Sequence, residues 1–194
     1  AYYRDQMLKA MVRGIKSVED SDYPVPESLR GVLREYQRVG YCWLKTLDSY
    51  GFGGILADDM GLGKTIQIIT LLKDAYGTGE RQPSLIICPA SLVYNWEHEI
   101  GRLAPDLLSI VGNGPEREAR LESVREQLSG GTGDGCQVLV TSYDLLKRDI
   151  RFYEDIHFRY QVIDEAQYIK NAATQSAKAV KAIDVRTRFA LTGT

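Results

Sequence analysis

Short continuous apolar runs alternate along this chain with longer stretches in which apolar residues recur at helical spacing. Residues 54–57 end in Ile55-Leu56-Ala57, and comparable runs recur at 85–88, 107–111, 137–141 and 160–164. A sixth begins at Arg188-Phe189-Ala190-Leu191. Runs of four or five apolar residues between turn signals predict buried strands. The intervening stretches predict helices at 63–75, 91–103, 115–128, 142–149 and 172–183. Ahead of the first strand, the apolar positions 33, 36, 39, 43, 44 and 47 predict one more helix. Regular alternation of this kind implies an α/β fold, a parallel sheet covered by helices on both faces.

The opening is different. Met7, Leu8 and Met11 suit one helical face, but Glu19-Asp20-Ser21-Asp22 and Pro24-Val25-Pro26 interrupt any helix. Residues 1–28 therefore read as a lead-in segment from an upstream region, and 29–194 as a single lobe. Because the first residue is Ala and the lead-in has no domain logic of its own, the expectation is a piece of a longer protein. With 194 residues and 44% apolar composition, the chain can bury one substantial core.

Charge and cysteine content narrow the classes. The 24 Lys and Arg residues nearly balance 26 Asp and Glu, so no overall basic charge advertises nucleic acid, although a local groove can still be basic. Cys42, Cys88 and Cys136 are far apart and make no C-x-x-C, which predicts buried reduced thiols rather than a metal site. With no signal peptide or apolar run of membrane length in view, the expectation is a soluble intracellular protein without a membrane partner: cytoplasmic in a bacterium or archaeon, nuclear in a eukaryote.

Chemistry concentrates in two places. Asp58-Asp59-Met60-Gly61-Leu62-Gly63-Lys64-Thr65 follows the first strand and leads into a helix. Gly61 and Gly63 let backbone N–H groups approach phosphate oxygens, and the helix start adds its positive end. Lys64 would reach the terminal phosphates, and the Thr65 hydroxyl would sit on Mg²⁺. A hundred residues later, Asp164-Glu165-Ala166-Gln167 follows a strand. There Asp164 would hold Mg²⁺, and Glu165 would orient and deprotonate water. Either motif alone is weak, since a strict phosphate loop has glycine at position 58. As an ordered pair they predict a nucleoside triphosphate site.

Other stretches are uninformative. Glu116 to Gln127 reads as a solvated helix with pairs such as Glu116–Arg120 and with Leu121, Val124 and Leu128 on one side. The glycine-rich run 129–135 lacks a following lysine and reads as a surface loop. His98-Glu99 opens a zinc-protease-like string, but Arg102 stands where the second ligand would be.

With these motifs in order, residues 29–194 resemble the N-terminal RecA-like ATP-binding lobe of superfamily two helicase-type ATPases, a P-loop NTPase fold. More specifically, they resemble the Swi/Snf family of double-stranded DNA translocases. Leu33-Arg34-Glu35-Tyr36-Gln37, with Gly40, Trp43 and Leu44, resembles the family's Q motif. In that motif Gln37 would read adenine and favour ATP, its amide being both donor and acceptor. Asp58 is also what this family carries in place of the first glycine. Cys88-Pro89-Ala90-Ser91-Leu92-Val93-Tyr94-Asn95-Trp96 resembles motif Ia, and Thr141-Ser142-Tyr143-Asp144 motif Ib. Asp164-Glu165-Ala166-Gln167 matches motif II, with Gln where His is more frequent, and Leu191-Thr192-Gly193-Thr194 matches motif III.

The resemblance implies ATP and Mg²⁺ as cofactors and double-stranded DNA as partner. Ser91, Thr141 and Ser142 would touch DNA phosphates, with helix capping as an adequate alternative role for Ser91 and Ser142. Trp96 is assigned to core packing. Thr192, Gly193 and Thr194 would couple to the motif II loop near Gln167. The implied activity is a DNA-stimulated ATPase that translocates on duplex DNA and remodels or displaces bound protein. A second RecA-like lobe in the same polypeptide would supply arginine fingers, so this lobe by itself should be nearly inactive; a larger complex is compatible. Three rival readings share some residues: a strand-separating helicase of the Asp-Glu-box type, a non-hydrolysing ATP-responsive scaffold, and a carboxylate nuclease. The string after Pro89 argues against the first, and intact Lys64, Thr65, Asp164 and Glu165 against the second.

Overall fold

A computed structural model describes residues 23–57, 63–130 and 135–193. Its centre is a six-stranded parallel sheet in the order β1-β6-β5-β2-β4-β3. The strands are β1 (Gly54–Ala57), β2 (Ser84–Cys88), β3 (Ser109–Val111), β4 (Val138–Ser142), β5 (Phe158–Ile163) and β6 (Val185–Thr192). Among the described residues, six α-helices accompany them: α1 (Glu35–Ser49), α2 (Lys64–Gly77), α3 (Val93–Leu103), α4 (Arg117–Ser129), α5 (Tyr143–Arg148) and α6 (Gln175–Ala182). Every strand expected from the apolar runs is present, with ends displaced by a few residues. The largest difference is β6, which starts at Val185 and runs to Thr192.

Side chains that alternate along each strand divide the core in two. Ile86, Cys88, Val138 and Val140 pack with Tyr41, Leu44, Ile68, Leu72, Trp96 and Ile100, from α1 to α3. Leu85, Ile87 and Leu139 turn the other way, against Leu121, Val124, Leu146 and Val180 of α4 to α6. A two-residue period along strands covered on both sides explains why they are apolar throughout. Cys42, Cys88 and Cys136 are buried free thiols within these cores. In α4, Leu121 and Val124 are buried as expected, but the Arg120 guanidinium donates to the Asn113 carbonyl rather than pairing with Glu116.

The packing of α1 corrects the sequence reading. Tyr36 and Val39, counted on its apolar face, are exposed, while Gln37, Tyr41, Cys42, Leu44, Thr46, Leu47 and Asp48 are buried. Three polar residues, Gln37, Thr46 and Asp48, belong to the inner face because partners meet them there. Lys45 adds a 2.6 Å ion pair with Asp74 of α2. Val25 and Leu29 share this core, and Tyr41 donates to the Pro24 carbonyl. Packing against the lobe thus begins before residue 29.

Asp48 anchors α1 to the amino edge of the sheet. Its carboxylate accepts from both terminal guanidinium nitrogens of Arg159, from Tyr160 Oη at 2.6 Å and from Thr187 Oγ1 at 2.7 Å. Arg159 also faces Glu80 at 3.1 Å. Burial raises the Asp48 carboxyl, but the three sets of hydrogen bonds outweigh it and hold the group below the ordinary carboxylate range. Removing the acid leaves a buried guanidinium with one partner fewer. Asp48→Ala is therefore expected to destabilise the fold by about 3 kcal/mol in urea titrations. A depressed pKa contributes stability above the unfolded carboxylate value, about 4, and loses it as pH falls through the folded value. The stability gap between wild type and Asp48→Asn should accordingly narrow below pH ~4; a gap independent of pH would contradict this account.

Candidate nucleotide site

All the strands run the same way, so their carboxyl ends meet along one edge, where ligands of open α/β sheets collect. Lys64, the first residue of α2, and Thr65 lie beyond β1. Asp164 and Glu165 lie beyond β5. An open cleft of about 560 Å³ is lined by Lys64, Thr65, Asp164 and Glu165, together with Gly63, Arg34, Tyr36 and Gln37. Asp58, Asp59, Met60, Gly61 and Leu62, the remaining expected cradle residues, fall outside the described residues, as does Thr194.

Gly63 ends the loop with φ 79° and ψ 43°, the left-handed region. A Cβ here would stand 2.3 Å from Gln37 Nε2. The residue is glycine for two separate reasons, backbone conformation and lack of room. Gln37 is buried, and its Oε1 accepts from the Arg34 backbone N–H at 2.9 Å, closing the first turn of α1. The proposed adenine reader is thus fixed in place beside the cradle.

β6 lies between β1 and β5, so motif III sits between the other two motifs. Lys64 Nζ donates to the Thr192 carbonyl at 3.1 Å. Thr192 Oγ1 donates to Gln167 Oε1 at 3.3 Å, and Gln167 Nε2 donates closely to the Glu165 carboxylate. A polar relay therefore runs from lysine to glutamate across the cleft floor. Ala166 begins the short 3-10 turn that carries Gln167, and Gly193 follows directly on Thr192.

Asp164 is held from several sides. Its Oδ2 accepts from the Trp96 indole at 2.9 Å, its Oδ1 from the Glu165 backbone N–H at 2.9 Å, and its carbonyl from Tyr143 Oη at 2.5 Å. Burial pushes its carboxyl upward against the pull of these donors. Burial, with Asp164 nearby, also pushes the Cys88 thiol to about 12. Glu165 has φ 50° and ψ 53°. A left-handed residue with a side chain costs about 1–3 kcal/mol, and such strain clusters at functional sites. Here it turns the chain sharply after β5.

Trp96 and Tyr143 were not assigned to the site by sequence. Tyr143 also stacks on Tyr168, with centroids 5.7 Å apart and planes within 6°. Asn95, Glu99 and Arg102 line the same cleft from α3. Their i, i+4, i+7 spacing was a legible signal for a shared helix face, as was the need of a buried indole N–H for an acceptor.

The expected DNA-phosphate residues separate. Ser91 is exposed and caps no helix. Thr141 is fully buried, and Ser142, 2% exposed, spends its Oγ accepting from Leu145 N at 3.2 Å. As they stand, these two hydroxyls are closed to a phosphate: the strand carrying them is covered on both faces and Ser142 is the N-cap of α5.

A parallel sheet with a phosphate-loop lysine and an Asp-Glu pair at its carboxyl edge defines a RecA-like P-loop NTPase lobe. Within that class the chain belongs to the family of SNF2-related domains, whose family model matches residues 36–194. An uncharacterized ATP-dependent helicase, MG018, of Mycoplasma genitalium is 43% identical over 165 residues, 84% of this chain and 15% of that protein. The chromatin-remodeling ATPase INO80 of Drosophila melanogaster is 39% identical over 181 residues, 91% of this chain and 11% of its own. The Sulfolobus solfataricus SWI2/SNF2 ATPase core in complex with dsDNA superposes with TM-score 0.74 at 40% identity. That match covers 89% of this chain and 34% of the solved one. The chain thus spans a small part of these relatives.

Gly63 and Gly77 form a matched pair for testing the cradle. Gly63→Ala should weaken nucleotide binding at least tenfold, through backbone strain of about 1–2 kcal/mol and the clash with Gln37. Gly77, at the end of α2, has open space around a Cβ, so Gly77→Ala should leave binding unchanged. Equal nucleotide titrations for the two variants would remove the cradle from the explanation.

Proposed function

We propose that this lobe binds ATP with Mg²⁺ and is part of an ATPase that moves along double-stranded DNA, remodelling or displacing bound protein. The observation carrying this reading is the convergence of Lys64, Thr65, Asp164 and Glu165 on one cleft, bridged by Thr192 and Gln167. The residues fit the cofactor. Gly63 makes the left-handed turn into α2 without a Cβ that would strike Gln37, Lys64 carries the positive charge, and two adjacent carboxylates line the same cleft. Thr65 and Asp164 would hold Mg²⁺, which when bound supplies charge neutralisation at the phosphates. Lys64 would bind the terminal phosphates. Glu165 would orient water and accept its proton, kept in place meanwhile by Gln167. When Lys64 turns toward phosphate it leaves the Thr192 carbonyl, which gives the motif III strand a way to register occupancy.

The family relationship and the dsDNA complex of the Sulfolobus relative support duplex DNA as the track. Contact on this lobe would come from the exposed start of motif Ia, Ser91 with Tyr94 and Asn95, and from backbone amides, rather than from Thr141 and Ser142. Contacts to phosphate carry no base information, so binding should be insensitive to sequence and fall steeply with salt. Arginine fingers from a second RecA-like lobe would complete the site, adding about 10³–10⁵ in rate by analogy with other phosphoryl transfers.

ATP turnover by the full-length protein, measured without nucleic acid, with duplex DNA and with RNA, tests the reading: duplex DNA should stimulate most. Stimulation by RNA alone would redirect it to an RNA-dependent enzyme. Lys64→Ala should abolish turnover by losing nucleotide, whereas Glu165→Gln should retain ATP binding and lose turnover. Wild-type turnover by Glu165→Gln would refute its role as base.

A further inference from the structure

Trp96 is 1% exposed in the core formed by α1 to α3, yet its polar atom points out of that core at Asp164. We propose that Trp96 is a positioning residue of the nucleotide site, its indole N–H fixing the carboxylate through which Asp164 holds Mg²⁺. This rests on the reading of Asp164 as a magnesium carboxylate.

Three observations lead there. A buried indole N–H needs an acceptor, and a carboxylate is a stronger one than the carbonyls usually available. The two Asp164 oxygens are engaged at 2.9 Å by separate donors, Oδ2 by Trp96 and Oδ1 by the Glu165 amide, and two such bonds oppose rotation of the carboxylate plane. The donors also differ in rigidity. Glu165 is the left-handed turn residue after β5, whereas Trp96 ends the first turn of α3 and is buried in one core with Val93 and Ile100. Of the two, only the indole ties the carboxylate to a different element of the fold. Each oxygen keeps lone-pair capacity for a further partner, so the indole bond orients the carboxylate without consuming it. Motif Ia thereby reaches into motif II: the helix that follows Ser91 and presents Tyr94 and Asn95 to solvent also aims the acid.

If Trp96 were filler, Trp96→Phe would lower stability and leave the magnesium requirement alone. The full-length protein is titrated with N-methylanthraniloyl-ATP by anisotropy, once in EDTA and then across a Mg²⁺ series. Trp96→Phe should raise the Mg²⁺ concentration for half-maximal enhancement about tenfold, the loss of one hydrogen bond to a charged group, with EDTA binding unchanged. Asp164→Ala should abolish the enhancement, and adding Trp96→Phe to it should change nothing further. Should Trp96→Phe fail to fold, β-(3-benzothienyl)alanine at position 96 removes the N–H while keeping the bicyclic shape, and the same tenfold rise is expected. An unchanged midpoint, or an equal loss of binding in EDTA, overturns the role of Trp96 while Asp164→Ala still shows its effect. An unchanged Mg²⁺ response in Asp164→Ala overturns the underlying assignment of Asp164 instead.

Discussion

The placement of β6 between β1 and β5 is the constraint on which the site depends. Neighbouring strands lie about 4.8 Å apart, so the carboxyl ends of β1 and β5 are separated by roughly two such spacings. That separation sets the lysine side apart from the acid side and places one strand end in the middle. Thr192 occupies that position, giving its carbonyl to Lys64 and its hydroxyl to Gln167. Were β1 paired directly with β5, the two charged groups would close on each other. Were it one strand further, no single residue could touch both sides.

The two edges of the sheet are built for different purposes. At the amino edge, Asp48, Arg159, Tyr160 and Thr187 satisfy one another in a buried network that clamps α1 across β5 and β6. At the carboxyl edge polar groups are only partly covered, Glu165 sits in a strained conformation, and hydrogen bonds run between side chains that a ligand could recruit. A rigid base permits a rearrangeable rim, because bonds exchanged at one edge leave the packing of the other intact.

α3 links the two regions that the proposed activity needs. It follows the 3-10 turn that exposes Ser91, itself exposes Tyr94 and Asn95, and buries Trp96 against Asp164 within about one helical turn. Displacement of such a helix changes its outer and inner contacts together. A packed core passes on small shifts of this sort rather than absorbing them. The proposed roles of Asp164 and of the motif Ia segment would therefore be mechanically joined through Trp96.

From the sequence by itself came the strands, most of the helices, the parallel α/β class and the pairing of Gly63-Lys64-Thr65 with Asp164-Glu165. These are local properties: apolar runs follow from burial on both faces, and glycine before lysine follows from what a phosphate turn requires. Long-range partners were out of reach. The inner face of α1 was misread because Gln37 and Asp48 look like surface residues until Arg34 and Arg159 are placed beside them. Trp96 could be read as core but not as the donor to Asp164, which lies 68 residues away. Thr141 and Ser142 carried hydroxyls suited to phosphate, and only the covering of β4 on both sides closed them off. Periodicity reports which residues avoid water; which polar groups find each other there is decided by strand order and helix packing, which the tertiary structure alone supplies.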